Sequence, residues 1–502
     1  MSRLLLLILS CVVMVSIWAV RRKMAPKSWI YGDPSGKVSD DVGTTGYKPA
    51  TTVETEGYKP ATTVETEGYK PATPIETEAE VVFYQDMNVN TTLYNTSRIP
   101  ALVHHHDMFF AFAEGRKETF EDIGAMDIIL RRGKTKDWKV AWGPVQIVAS
   151  QTGYRCMDPV PIVDTEMDMI LLLYNTHRSN VEIWDELADE TVTAGLKVIK
   201  SFDLGLTWTE PQDLNYAIEL IRPRAYLYGP APGHAIQMKS GRLIVPGRFW
   251  SKVTDSDQIE FKNGTFPQSN VIYSDDHGDT WHPGGSLGYR EDTNGIAIFS
   301  GEATAVELDN ELCINARTLH PDQPRLLAFS KDEGASFGTP KLAWSLIEPG
   351  YKRRDDPVFA GNYTNTLQEP FLLEDNATRA SGVGGCQASM IGFKAPEPLS
   401  PSNTWVVFSN PSSSFRRNMA VKISKDGCRT WSKPWVIHAN VSAYSDLAYF
   451  ETWDSDAGVN SPNIAILYEG GEEWRYESIR FKMFSLERML QGIAEPSPFS
   501  SG

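Results

Sequence analysis

Cysteine is scarce in this sequence, with five among 502 residues, too few for a disulfide scaffold. Positive charge is in deficit as well, 48 Lys and Arg standing against 64 Asp and Glu for a net charge of −16. Nucleic-acid binding needs a basic face to neutralise phosphates, so that class of partner is excluded. An anionic small molecule is not, because it responds to the local field rather than to the sum of charges. Convincing amphipathic helices are also rare, the best being the short stretch Leu486–Ile493 near the end of the chain. Turn formers and aromatics are plentiful: 38 Gly, 31 Pro and 14 Trp. That profile belongs to a turn-rich β protein rather than a helical one.

The first 80 residues differ from the rest. Leu4 to Val20 is a 17-residue run without a charge, preceded by Arg3 and followed by Arg21, Arg22 and Lys23. A membrane span needs about 17 to 25 apolar residues. Residues 1–23 are therefore expected to be an uncleaved signal-anchor, with a cleaved signal peptide as the rival. The flanking charges alone would keep the C-terminal side in the cytoplasm. Two features oppose that orientation. Six Asn-x-Ser/Thr sequons occur, at Asn90, Asn95, Asn263, Asn362, Asn376 and Asn440. An 11-residue repeat also runs through Gly46–Glu56, Gly57–Glu67 and Gly68–Glu78. With a proline in every copy and few apolar positions, the repeat cannot coil. It suits an extended, disordered Thr/Pro-rich stalk over residues 24–80. The expectation is a folded part in the secretory lumen or outside the cell, on a single-pass anchor or secreted.

From Val81 onward the chain becomes short β runs between turns. Met169–Tyr174 (MILLLY), Leu243–Pro246 (LIVP), Trp405–Ser409 (WVVFS) and Ile464–Tyr468 (IAILY) are examples. Many such strands mean a sandwich, a barrel or a propeller. Four segments share one frame: Ser201–Trp208 (SFDLGLTW), Ser274–Trp281 (SDDHGDTW), Ser330–Phe337 (SKDEGASF) and Ser424–Trp431 (SKDGCRTW). Each predicts a turn in which Asp accepts bonds from its own backbone, Gly takes the left-handed position and the aromatic tucks beneath. In the fourth copy Gly427 comes one position early and Cys428 stands in the Gly place, which predicts a distorted turn. These segments resemble the Asp boxes of sialidases (neuraminidases). The resemblance implies an all-β, six-bladed β-propeller over residues 81–502. Propellers of other function also carry Asp boxes, so the boxes speak for fold alone.

Chemistry must come from other blocks. Arg98 lies in an apolar strand, Ser97–Leu102 (SRIPAL), where an uncompensated charge would be costly to bury. Ala113–Arg116 (AEGR) is followed by Asp122 and Asp127, and then comes the short block Met157-Asp158-Pro159. Gly301–Leu308 (GEATAVEL) precedes Cys313–Arg317 (CINAR). Glu302 and Arg317, 15 residues apart, fit opposite ends of adjacent strands with Glu311 near the connecting turn. Arg416 and Arg417 are neighbours in a strand, so only one can face a given pocket. Gly385–Ser389 (GCQAS) and Ala443–Leu447 (AYSDL) complete the series. Each block alone has a plain structural reading, as a strand-end arginine, a solvated acidic loop or a surface glutamate.

Their order resembles the sialidase catalytic domain. The resemblance implies that Arg98, Arg317 and Arg416 clamp the substrate carboxylate, with Arg417 the runner-up to Arg416. It implies Asp122 as acid/base, Arg116 lining the pocket, Glu302 as the base beside the nucleophile Tyr444, and Gln387 contacting the glycerol or N-acetyl group. Asp127 is read as structural. Two positions depart from the family pattern: Ser97 stands where an aromatic is usual, and Thr304 where a Gln is.

The implied chemistry explains the residue types. Sialic acid bears its carboxylate on the anomeric carbon, and a carboxylate nucleophile would meet like charge, whereas a neutral Tyr would not. Tyr needs a base beside it, and arginines supply paired donors to the carboxylate. The expected function is an exo-α-sialidase acting on sialylated glycans. The alternatives are a trans-sialidase and a catalytically silent sialoglycan-binding propeller. No cofactor is implied. The consecutive His104, His105 and His106 are expected to form a polar loop, unable to converge on a metal as i,i+4 pairs do.

Overall fold

The computed structural model describes residues 74–188, 195–252, 265–288, 290–291, 297–320, 323–346, 348–349, 384–396, 402–413, 415–454 and 459–495. The expected anchor and nearly all of the expected stalk lie outside them, as do Asn263, Asn362 and Asn376. Among the described residues, no helix is long and apolar enough to cross a membrane.

The fold is all-β, and its strands form antiparallel groups in chain order. The first holds Thr96–His105, Met108–Arg116, Met126–Lys136 and Lys139–Ala149. The second holds Tyr154–Asp164, Met169–Arg178, Gly195–Ser201 and Gln212–Asp213. In the third, Leu227–Pro230 and Ile236–Gln237 pair with Leu243–Lys252, followed by Thr265–Ser274 and His282–Ser286. The fourth runs Ser300–Glu307, Leu312–Thr318, Leu326–Ser330 and Lys341–Leu342. Ser389–Lys394, Thr404–Pro411, Arg417–Ser424 and the start of the long strand Trp435–Asp454 make the fifth. The rest of that strand continues into the sixth with Val459–Gly470, Ser478–Ser485 and, from the other end of the chain, Glu80–Tyr84.

The core lies between consecutive groups, which explains the continuous apolar runs. Alternate residues of a strand point to opposite faces. Met169, Leu171 and Leu173 therefore enter the core shared with the third group, while Ile170, Leu172 and Tyr174 enter the one shared with the first. A strand covered on both faces has no need of polar alternation. The same interlayer packing joins the sixth group to the first, where Phe109 and Ile129 meet Phe450 and Phe481.

The four Asp boxes each connect the last two strands of a group. In each, the Asp accepts from the Ser two residues earlier and from the backbone and hydroxyl of the Ser or Thr four residues later. For Asp276 these bonds are 2.8 Å from Ser274, 2.8 Å from the Thr280 N–H and 2.6 Å from its hydroxyl. The fourth turn is not distorted, contrary to expectation. Asp426 makes the same bonds. Two successive residues take positive φ in every copy, Leu204 and Gly205 in the first, Gly427 and Cys428 in the last. Glycine and its neighbour have only exchanged places. Asp276→Ala is expected to lower stability by about 2 kcal/mol through the lost bonds, with hydrolytic activity per folded molecule unchanged. Thermal melting and a turnover assay check both halves.

Two further expectations change, and the state of four cysteines, which the sequence leaves open, becomes visible. The folded part begins before Val81: Glu76 bridges to Phe484, and its carboxylate pairs with Lys482 and Arg488. Cys156, Cys313, Cys386 and Cys428 are all buried and free. His105 and His106 do converge, with ring centroids 4.0 Å apart. The expectation rested on the lack of i,i+4 spacing, but His106 sits in a turn with φ of 53°, and its ring comes back beside that of His105. The terminal helix forms as expected, over Leu486–Ala494, with Ser485 capping the Arg488 N–H.

Candidate active site

Local irregularities of the sheets build the site. Pairing registers shift at Arg98/Ala101, Met157/Val160, Ser300/Ala303, Arg417/Met419 and Ser442/Ser445. Bulges turn side chains out of a strand's regular alternation. Here they fall beside Arg98, Asp158, Glu302, Arg416 and Tyr444. Ile99, a β-branched residue, is held at φ of 60°, a strained state that the surroundings must enforce. Glu469, fully buried, does so by accepting the Ile99 N–H at 2.9 Å and the Tyr444 N–H at 3.0 Å.

Tyr444 donates to Glu302 at 2.7 Å, and Arg317 donates to both Glu302 oxygens at 3.1 Å. The same guanidinium nitrogen lies 3.4 Å from the Tyr444 hydroxyl. Glu302 near the start of its strand and Arg317 near the end of the next lie side by side, as their spacing implied, because the turn after Glu307 folds the strands back on each other. Burial pushes the Glu302 carboxyl up, but Arg317, then Arg248 and the Tyr444 bond outweigh it and hold Glu302 well below the usual carboxylate range. Burial, then Glu302, push the Tyr444 phenol well above its ordinary value, against the opposite pull of Arg317 and Arg416. The resting pair is a neutral phenol bonded to a carboxylate.

Two more arginines face this pair. The Arg98 guanidinium lies 5.5 Å from the centre of the Tyr444 ring and 4.0 Å from that of Tyr476. Its charge is matched by Glu469 at 3.2 Å. Arg416 lies 5.7 Å from the Tyr444 ring centre and donates to the Tyr476 hydroxyl at 3.0 Å. Arg417 belongs to the strand Arg417–Ser424 and pairs across it with Val441.

Asp122 sits at the mouth, its side chain 61% exposed, 2.8 Å from Arg116 and 3.6 Å from Arg98. Desolvation pushes its carboxyl up, yet Arg116 and then Arg98 outweigh that and hold it below its ordinary value. Arg116 is fully buried, fixed by Glu114 and by the Phe120 carbonyl. Asp127 is structural, binding the Tyr94 hydroxyl at 2.7 Å and Lys117 at 2.8 Å. Gln387 is also occupied: its amide donates to the Pro232 carbonyl and accepts from the Ser445 N–H, both at 3.0 Å. These bonds leave one amide hydrogen and one oxygen lone pair unused, and the side chain is buried.

Glu469, Tyr476 and Arg248 escaped the sequence reading. Arg248 donates to Asp158 at 3.0 Å, and its charge acts on Glu302, Tyr444 and Asp122. Burial holds Asp158 above the usual carboxylate range in spite of Arg248. An arginine inside the apolar run Leu243–Trp250 is the signal that singled out Arg98, and it applied here too. Glu469 and Tyr476 carried none.

Known proteins resemble the chain at this point. The pattern of a BNR repeat-like domain matches residues 107–455. Mouse sialidase-3 is 31% identical over 427 residues, which covers 81% of this chain and 94% of its own. Human sialidase-4 is 28% identical over 470 residues, with coverages of 81% and 94%. Among solved structures, Trypanosoma rangeli sialidase in complex with sialic acid superposes with a TM-score of 0.57 at 16% identity, covering 84% of this chain and 60% of its own. The microbial sialidase Hz136 gives 0.55 at 22%, with coverages of 78% and 66%. This chain thus spans nearly all of the curated relatives but less than two thirds of those two solved chains.

Proposed function

The chain belongs to the sialidase family and is a glycoside hydrolase, and we propose that it is an exo-α-sialidase that retains anomeric configuration through a Tyr444-linked intermediate. The observation that carries this reading is the 2.7 Å contact of Tyr444 with Glu302, with Arg317 on both. The substrate carboxylate lies against Arg98, Arg317 and Arg416, which fixes the anomeric carbon over the Tyr444 oxygen. Glu302 takes the phenolic proton as the oxygen–carbon bond forms. Asp122 protonates the departing glycan oxygen and afterwards activates water. At rest Asp122 is held ionised by Arg116 and Arg98. A bound carboxylate neutralises part of that field, which raises the proton affinity of Asp122 as a general acid requires.

The scaffold in this reading is a six-bladed propeller. The six strand groups support it, as do the core between the last and the first and the closure of the sixth group by Glu80–Tyr84. An N-terminal anchor holding this domain in the secretory lumen or outside the cell fits the exposed sequon residues Asn90 and Asn95.

Two measurements test the mechanism. Proton NMR of early turnover should show the α anomer of free sialic acid before mutarotation, with little transfer to added galactoside. A 2,3-difluorinated sialosyl fluoride should label the peptide containing Tyr444. Early release of the β anomer would overturn retention, and labelling elsewhere would overturn the assignment of the nucleophile.

A further inference from the structure

Three metal-ligand atoms converge on two turns away from the residues assigned to catalysis. His105 and His106 lie at the turn joining Thr96–His105 to Met108–Arg116, and Asp168 at the turn joining Tyr154–Asp164 to Met169–Arg178. The Nε2 atoms of His105 and His106 stand 2.6 and 2.8 Å from one Asp168 oxygen. All three donor atoms lie within 4.8 Å of one another. His106 and Asp168 both take positive φ, 53° and 51°, which swings their side chains toward each other from neighbouring strand groups.

We propose that His105, His106 and Asp168 bind a divalent transition-metal ion of the zinc type, tying the first strand group to the second. The donor set selects the class of ion. Two imidazoles and one carboxylate suit zinc, nickel, copper or cobalt, whereas calcium and magnesium require shells of oxygen ligands. Metal–nitrogen and metal–oxygen bonds of about 2.0–2.2 Å set tetrahedral donors roughly 3.3 Å apart. The two histidine–carboxylate separations must therefore open by about 0.5 to 0.7 Å. His105, with its side chain 10% exposed, is the fixed anchor. The His106 and Asp168 side chains are 54% and 67% exposed and can rotate without disturbing the core. A fourth position remains for water.

The alternative is a plain hydrogen-bonded cluster, in which two imidazoles crowd their N–H groups onto one oxygen. A metal removes that crowding by replacing both protons. The proposal is independent of the catalytic reading, because none of these residues belongs to the Tyr444 pocket.

The test uses the full chain, stripped of metal with a chelator. Titration with Co2+ should give one ion per chain and visible ligand-field bands that Zn2+ displaces, and Zn2+ should raise the melting temperature. His106→Ala and Asp168→Asn should each weaken Zn2+ binding by at least about tenfold and abolish the thermal shift, with sialoside hydrolysis in the absence of metal unchanged. Absence of saturable binding at micromolar Zn2+ would overturn the proposal. So would variants that bind Zn2+ as tightly as the parent.

Discussion

Tyr444→Phe is expected to lower kcat on a fluorogenic sialoside by about 10³-fold or more, equivalent to ~4 kcal/mol of barrier, with the melting temperature nearly unchanged. The fold should survive, because Glu302 keeps both bonds from Arg317 when the hydroxyl is gone. The rate should not, because no other nucleophile replaces it without penalty. A carboxylate attacking the anomeric carbon would lie within about 4 Å of the substrate carboxylate, a repulsion of ~4 kcal/mol at an effective dielectric near 20. The neutral phenol escapes that term. In the proposed mechanism, its raised proton affinity beside an ionised Glu302 keeps the proton on oxygen until attack. Substrate binding then shifts the balance: a carboxylate at Arg317 competes for the guanidinium that stabilises ionised Glu302, making Glu302 a stronger base. Wild-type turnover by Tyr444→Phe would remove Tyr444 from the mechanism.

The sequence carried the repeats and most of the charged cluster, for physical reasons that differ. Asp boxes are local: Ser, Asp, Gly and Thr bond within eight residues, so their geometry is written into their spacing. Arg98, Glu302, Arg317, Arg416 and Tyr444 were recognised through the order of short blocks, while their meeting depends on pairing across the whole chain. The bulges that aim them had no sequence mark, since a register shift is set by the partner strand. Glu469 illustrates the limit. Its position before Gly470 reads as a turn-side acid, yet it is fully buried and holds two backbone N–H groups and Arg98. The reading of His105 and His106 failed because it weighed helical i,i+4 spacing alone, whereas a turn can bring consecutive side chains together.

Asp446→Ala is expected to be the most destabilising single change near the site, by about 3–5 kcal/mol. This carboxylate is 1% exposed and accepts from the Leu102 N–H at 2.7 Å, the His234 N–H at 2.8 Å and the Ser389 hydroxyl at 2.7 Å. It also meets the His234 ring nitrogen at 2.8 Å and accepts the Leu447 N–H at 3.1 Å. Leu102 lies in the first strand group, His234 just before Ile236–Gln237 of the third, Ser389 in the fifth and Asp446 in the sixth. One side chain thus gathers segments distant in sequence, and its loss leaves buried donors with no acceptor. The pH dependence fixes the sign of the ionic part. Burial lowers the His234 pKa, but its pairing with Asp446 outweighs this, so the folded value lies above the ordinary 6.5. A raised folded pKa contributes stability that is complete below about 6.5 and is lost as pH rises through the folded value. The gap in melting temperature between wild type and Asp446→Ala should therefore be wider at pH 5.5 than at pH 8.5. Activity should fall with it, because Asp446 is two residues from Tyr444 and in the same strand. A gap that does not change with pH would show that His234 and Asp446 hold the strands as neutral hydrogen-bonding partners and not as an ion pair.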